Sequence, residues 1–157
     1  MPVSKDEFRA ALGMFASGVT VVTTIAEDNN PAGITVSAFA SVSLDPPLVL
    51  ACVDKGASVH GCLTEGKHFA VNILAEDQEH LSRLFASKDE DRFSRAIYQA
   101  GVTGAPLLDG AAASLECRVV HAYPGGDHTI IVAEVESTAL ADRKPLAYHR
   151  GGYTRLA

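Results

Sequence analysis

The residues able to do chemistry are few and scattered in this 157-residue chain. Its six histidines stand at 60, 68, 80, 121, 128 and 149, and none forms H-E-x-x-H or joins the cysteines at zinc spacing. Cys52, Cys62 and Cys117 form no C-x-x-C pair and cannot all pair within one chain, so they read as reduced, small apolar residues. Neither G-x-G-x-x-G nor G-x-x-x-x-G-K-[ST] occurs, and there is no G-x-S-x-G elbow. No metal site is expected, and a nucleotide must be held by another device. Thr35 and Ser37 put short hydroxyls on one strand face, where they can hydrogen-bond the polar edge of a planar ring. Ser58 reads as the N-cap of a short helix whose first N–H groups face an anion. Lys55 lies just before it, and Arg92 offers a second cation with a bidentate grip on phosphate. His128 follows Gly126-Asp127 at a pocket rim, and Tyr153 beside Gly151-Gly152 could cover a ring.

Each of these residues has a plainer reading. Hydroxyls are ordinary on exposed strands, a helix start is usually satisfied by its own cap, and a histidine at a hairpin end is commonly a surface residue. Glu116 and Arg118 read as a solvated strand face. Physics of the residues alone reaches an antiparallel barrel with an anion pocket, and leaves its purpose open.

The elements that must position these groups are legible. Ser4-Lys5-Asp6-Glu7 is a capping box, and Phe8, Ala11, Leu12 and Phe15 give one helix face, ending near Gly18. Val19 to Ala26 reads as a strand, followed by an Asp28–Pro31 turn. From Ile34 to Leu44 even positions are apolar, while odd ones carry hydroxyls except at Phe39; a bend partway is allowed. Leu48 to Val53 and His68 to Leu74 are strands, and Asp77 to Ala86 is a helix with Leu81, Leu84 and Phe85 on one face. Residues 87 to 95 form a charged connection and 101 to 110 a loop. Ala113 to Tyr123 and Thr129 to Ala139 form a hairpin with a loop of about four or five residues. Six or seven hairpin-linked strands and three short helices favour an antiparallel barrel with added helices over a doubly wound sheet.

The bulk numbers agree with one domain over 1–157. A net charge of −6 argues against nucleic acid, which needs a basic footprint. The acidic start lacks the plan of a signal peptide and no apolar run is long enough to span a membrane, so a cytoplasmic protein is expected.

In order and spacing the chain resembles the short flavin reductases that serve two-component flavin-dependent monooxygenases. The resemblance runs through Phe15–Thr24, Gly33–Phe39, Ser41–Leu48, Phe69–Leu74 and Asp91-Arg92-Phe93. It continues through Pro106-Leu107-Leu108, Ala113–Cys117, Gly126-Asp127-His128 and Pro145–Tyr148. It implies a mainly β protein with a few helices, an antiparallel FMN-binding split β-barrel. It also implies NAD(P)H:flavin oxidoreductase activity, with FMN or FAD as cofactor and NADH or NADPH as co-substrate. A homodimer and a separate monooxygenase component are the implied partners. By matching position, Thr35, Val36, Ser37 and Ala38 lie along the flavin ring and ribityl chain, and Ser41, Val42 and Ser43 continue that wall. Cys52, Val53 and Asp54 flank the ring, while Ser58, Arg92 and Phe93 reach the phosphate end. His128 contacts the nicotinamide, and Tyr153 lies near the pocket. A flavin- or haem-binding carrier or sensor on the same barrel is the alternative, and a barrel that merely binds a protein partner is a third; His128 separates the first two, since a carrier has no need of a nicotinamide contact.

Overall fold

The computed structural model describes residues 1–157. Two α-helices and twelve strands make up the fold. Helix α1 (Lys5–Leu12) leads to β1 (Ser17–Gly18), β2 (Thr20–Ile25), β3 (Pro31–Val36), β4 (Phe39–Ser43), β5 (Leu48–Asp54) and β6 (His68–Ile73). Helix α2 (Glu79–Ala86) precedes β7 (Tyr98–Ala100), β8 (Pro106–Leu108), β9 (Ala113–Gly125), β10 (His128–Leu140), β11 (Leu146–His149) and β12 (Gly152–Arg155). Every pairing is antiparallel: seven strands in the order β3-β2-β6-β9-β10-β5-β4, a second sheet β1-β11-β12, and the hairpin β7-β8.

The order of the large sheet forces its shape. β3 and β4 are its two opposite edges, yet only Ser37 and Ala38 separate them in sequence. Three peptide steps reach at most about 10 Å. The sheet therefore curls until its edges nearly meet, and β3 approaches β5 across the opening. Twist makes such curling ordinary for a seven-stranded sheet. The two edges are left unpaired to each other, which is a split barrel.

The curled sheet encloses one core of Val22, Phe69, Val71, Val119 and Ile131. A second core, with Val19, Val21, Leu74, Leu81, Phe85 and Leu146, lies under α2. β2 stands between them, so Thr20 to Thr24 are all buried. Its threonine hydroxyls bond to the carbonyls of Val36 (2.6 Å), Pro106 (2.5 Å) and His68 (2.7 Å), which removes the cost of burying them. Gly33 permits the α2 contact: a Cβ there would meet the Phe85 ring and the Val22 carbonyl at 3.1 Å.

Several sequence expectations need correcting. α1 has its capping box but ends at Gly13, and it buries none of its residues. The Ile34–Leu44 alternation is two strands, and the apolar side chains Val42 and Leu44 beyond the break face solvent. Ser58 caps no α-helix; only a 3-10 turn, His60–Cys62, follows, without a side-chain cap. The β9–β10 connection is a two-residue turn, Gly126-Asp127, with φ of +69° at Gly126, the position where a mirror-image hairpin turn needs glycine. Part of the 101–110 loop is the strand β8, which begins at Pro106, where a missing N–H matters least.

Glu116 is also not on a solvated face. It is only 4% exposed and accepts hydrogen bonds from Val102 N (3.2 Å), Thr103 N (2.9 Å) and Thr103 Oγ1 (2.6 Å). The turn lies so close that a Cβ on Gly101 would sit 2.2 Å from Glu116 Oε1. Burial pushes the Glu116 carboxyl up, but the bonds from Thr103 and Val102, with the charge of His68, outweigh it and hold it below its usual range. A depressed acid contributes stability that is fully present above the unfolded-state pKa of about 4.3 and lost as pH falls through the folded value. Glu116→Gln is therefore expected to melt lower than the parent at pH 7 and to show a shallower loss of Tm below about pH 5. Calorimetric melts across pH check this; parallel acid limbs in the two proteins would mean that Glu116 does not set them.

Candidate active site

The split in the barrel organises the site. Ser37 and Ala38 are exposed where the chain crosses from one edge to the other. Ala38 O accepts from Cys52 N at 2.9 Å, which fixes the crossing against β5. Along β5, Val49, Ala51 and Val53 point into the core, so Cys52 points out and Asp54 emerges at the strand end. Asp54 Oδ1 accepts from Gly56 N at 2.7 Å and turns the chain there. In the ladder Asp54 stands opposite His128.

His128 opens β10 immediately after the turn. Its Nδ1 lies 2.7 Å from Asp127 Oδ1, so the carboxylate orients the ring and Nε2 is the free nitrogen. The hydrogen bond from His128, then its charge, hold Asp127 below the usual carboxylate range, and Lys5 adds to the effect. Cys52, Asp54, His128 and Ile130 share an open cavity of about 790 Å³ with Lys5 and Phe8 of α1. That volume suits a nucleotide fragment.

A second cavity, of about 250 Å³, lies at the other end of β3. Gly33, Ser58, Lys88, Arg92 and Phe93 line it, together with the carboxylates of Asp89 and Glu90. Arg92 is not swinging free. Its guanidinium donates to Gly33 O (2.7 Å), to Asp89 O through Nε (3.0 Å) and to Ser87 O. One of its five N–H groups thus ties the segment 87–92 to β3, two brace the segment on itself, and two remain for a ligand. Phe93 anchors the same segment by edge-to-face packing on Phe85 (5.0 Å) and Tyr98 (5.1 Å). The stretch from Gly33 beside this cavity to Val36 is extended, and Ser37-Ala38 then turns the chain towards Cys52.

Other candidates are employed elsewhere. The Thr35 hydroxyl donates its proton to Ser82 O of α2 (2.7 Å), so only its lone pairs remain to a ring edge. Tyr153 OH bonds Ser82 Oγ (2.7 Å), and its ring packs on Tyr148. Val36 and Val53 are core residues that leave only their backbone to a ligand. Ser41, Val42 and Ser43 lie on the β4 edge and line neither cavity, nor does Lys55. The sequence reading missed Lys5, Phe8 and Arg9 at the larger cavity and Gly33 and Lys88 at the smaller one. The i, i+3, i+4 spacing of Lys5, Phe8 and Arg9 marked one helix face, but nothing in it said what that face would meet.

Comparison with known proteins bears on this arrangement. A family model described as "Flavin reductase like domain" matches residues 12–157. The chain is 42% identical over 147 residues to the reductase component of a flavin-dependent trigonelline monooxygenase from Acinetobacter baylyi; this covers 94% of the chain but 47% of that protein, so the chain spans about half its length. It is 43% identical over 150 residues to FMN reductase (NADH) SmoA of Agrobacterium fabrum, covering 96% of the chain and 85% of that protein. The fold superposes with a TM-score of 0.93 on the NADH:FAD oxidoreductase SgcE6 of Streptomyces globisporus, solved with NAD and FAD fragments, at 41% identity over 98% of this chain and 93% of that one.

Proposed function

The chain belongs to the flavin reductase-like family, and from that premise we propose that residues 1–157 act as one domain, an NAD(P)H:flavin oxidoreductase. The carrying observation is the larger cavity, which sets His128, oriented by Asp127, beside Cys52 and Asp54 where the barrel is split. Several relatives are named as reductase components or subunits of monooxygenases. On that model the reduced flavin made here supplies a separate oxygenase.

The residues present fit a flavin nucleotide. The smaller cavity offers Ser58, Lys88 and the two spare N–H groups of Arg92 to a phosphate. The exposed backbone at Ser37 and Ala38 offers donors and acceptors to the polar edge of the ring. Cys52 and Asp54 close the far end. Bound flavin supplies the hydride acceptor. The protein's own part is to position. Asp127 holds the His128 ring, and His128 Nε2 meets the carboxamide or ribose of the incoming nicotinamide. No acid–base step at a side chain is required.

His128→Ala is expected to raise KM for NADH about tenfold, the loss of roughly one good hydrogen bond, while leaving the flavin dissociation constant unchanged. Steady-state kinetics with flavin titration checks this, and the reverse pattern would move His128 to the flavin. The decisive test of the activity is anaerobic: purified protein with FMN or FAD receives NADH or NADPH, and bleaching of the flavin is timed against free flavin. Bleaching faster than free flavin supports the reductase. Flavin binding without it overturns the reading in favour of a carrier.

We infer a homodimer as well. Phe8, Leu12, Phe15, Val42 and Leu44 are all more than 45% exposed in the single chain, and β4 is an unpaired edge. The free thiols Cys52, Cys62 and Cys117 support a reducing, cytoplasmic setting, and no helix is long and apolar enough to cross a membrane.

A further inference from the structure

α1 is an unusual element to keep ordered, because it buries no residue and its chain is tied back by little more than Arg150 N donating to Gly13 O (2.9 Å). Its capping box, with Ser4 N to Glu7 Oε2 at 2.9 Å and Glu7 N to Ser4 Oγ at 3.2 Å, fixes where the helix begins. One face, Lys5, Phe8 and Arg9 at i, i+3 and i+4, then forms a wall of the cavity that holds His128. Lys5 and Arg9 are the two basic residues of that wall; across from them stand Asp54 and Asp127. Lys5 is close enough to Asp127 to help lower its pKa. The cavity is thus polarised, basic on the helix side and acidic on the hairpin side.

A dinucleotide bringing its nicotinamide to His128 must place its diphosphate somewhere in or at the mouth of this cavity. The acidic side repels it. The chain as a whole, at −6, does too. Arg9 has only an exposed partner, Asp6 Oδ1 at 3.7 Å, a contact weak enough in water to be exchanged for phosphate. We propose that α1 is the diphosphate clamp of the reaction described above, with Lys5 and Arg9 gripping the pyrophosphate of the nicotinamide dinucleotide while His128 and Asp54 lie at its nicotinamide end. The proposal rests on the flavin reductase reading for its chemistry, and on the cavity for its geometry. Phe8 adds apolar surface to the same wall, and the separate cavity of Ser58 and Arg92 is left for the flavin phosphate.

The test compares two hydride donors, NADH and reduced nicotinamide riboside, which carries no phosphate. In the double variant Lys5→Ala/Arg9→Ala the ratio of kcat/KM for NADH to kcat/KM for the riboside is expected to fall tenfold or more. Both side chains are exposed and leave the capping box intact, so folding is not at risk. Lys5→Glu/Arg9→Glu should lower the ratio further. Independently of turnover, calorimetric titration with NAD+ should show a dissociation constant raised about tenfold and a weaker dependence on salt. An unchanged ratio with unchanged NAD+ binding overturns the clamp, as does an equal fall for both donors. If the parent protein reduces no flavin with either donor, the functional reading fails, and the NAD+ titration still decides the clamp.

Discussion

Asn72→Ala is expected to lower the unfolding free energy by about 3–5 kcal/mol, a large part of what a domain of this size has. Asn72 is fully buried on β6, facing β2 and β8. Its Nδ2 donates to Val21 O and to Thr23 Oγ1, both at 3.0 Å, and its Oδ1 accepts from Leu108 N at 2.9 Å. The Thr23 hydroxyl spends its own proton on Pro106 O, so its oxygen is free only to accept. One amide therefore joins three strands; its removal leaves Leu108 N unpaired where no solvent reaches, costing roughly 1–3 kcal/mol, and takes one further bond of about 0.5–1.5 kcal/mol from each of Val21 O and Thr23 Oγ1. Asn72→Leu separates polarity from volume: it refills the space without restoring a bond, and should remain destabilised by nearly as much. Urea melts measure both. A midpoint shift in the alanine variant that leucine fully repairs would make the site a packing position and the network incidental.

The second large effect lies at Arg92. Arg92→Ala should weaken flavin binding about 10- to 100-fold, the loss of one charge-assisted phosphate contact of roughly 1.5–3 kcal/mol. The same substitution cuts the bonds to Gly33 O, Asp89 O and Ser87 O, so amide exchange across 87–92 should quicken in the absence of any ligand. Arg92→Lys keeps the charge but cannot reproduce a three-way fork, and should recover only part of either effect. Faster exchange with an unchanged flavin dissociation constant would leave Arg92 as a strap alone and place the phosphate elsewhere.

These two residues mark where the sequence was informative and where it was silent. Arg92 was visible as a cation able to meet a phosphate, because its type is enough to suggest that role. Its bond to Gly33 O, 59 residues away, was not, since nothing local encodes it. Asn72 passed as an ordinary strand residue for the same reason. Local signals were reliable where the physics is local: the Ser4–Glu7 box, the α2 face with Leu81 and Phe85, and the existence of the β9–β10 hairpin, though not the length of its turn. The proposed helix at Ser58 failed locally too, because β-branched Val59 and Thr64 with Gly61 favour a short 3-10 turn over a helix. Glu116 misled because alternation assigns a face but not what covers that face, here the turn at Val102 and Thr103. The hydroxyl stripe likewise gave no hint that Thr35 donates to the carbonyl of Ser82 on α2.

The Ser37-Ala38 crossing carries a consequence for how such a chain tolerates insertions and deletions. Exposed two-residue links ordinarily accept changes of length. This one joins two strands whose registers are set independently, Thr35 opposite Val21 on one edge and Ser41 opposite Val49 on the other. Losing or gaining a single residue cannot be absorbed without sliding one edge, and a slide of one position turns every side chain of that strand to its other face. Phe39, packed against the core, would exchange places with its solvent-facing neighbours, and the backbone held to Cys52 would leave its place beside the cavity. The link is thus a spacer of fixed length, open to substitution in side chain and closed to change in count.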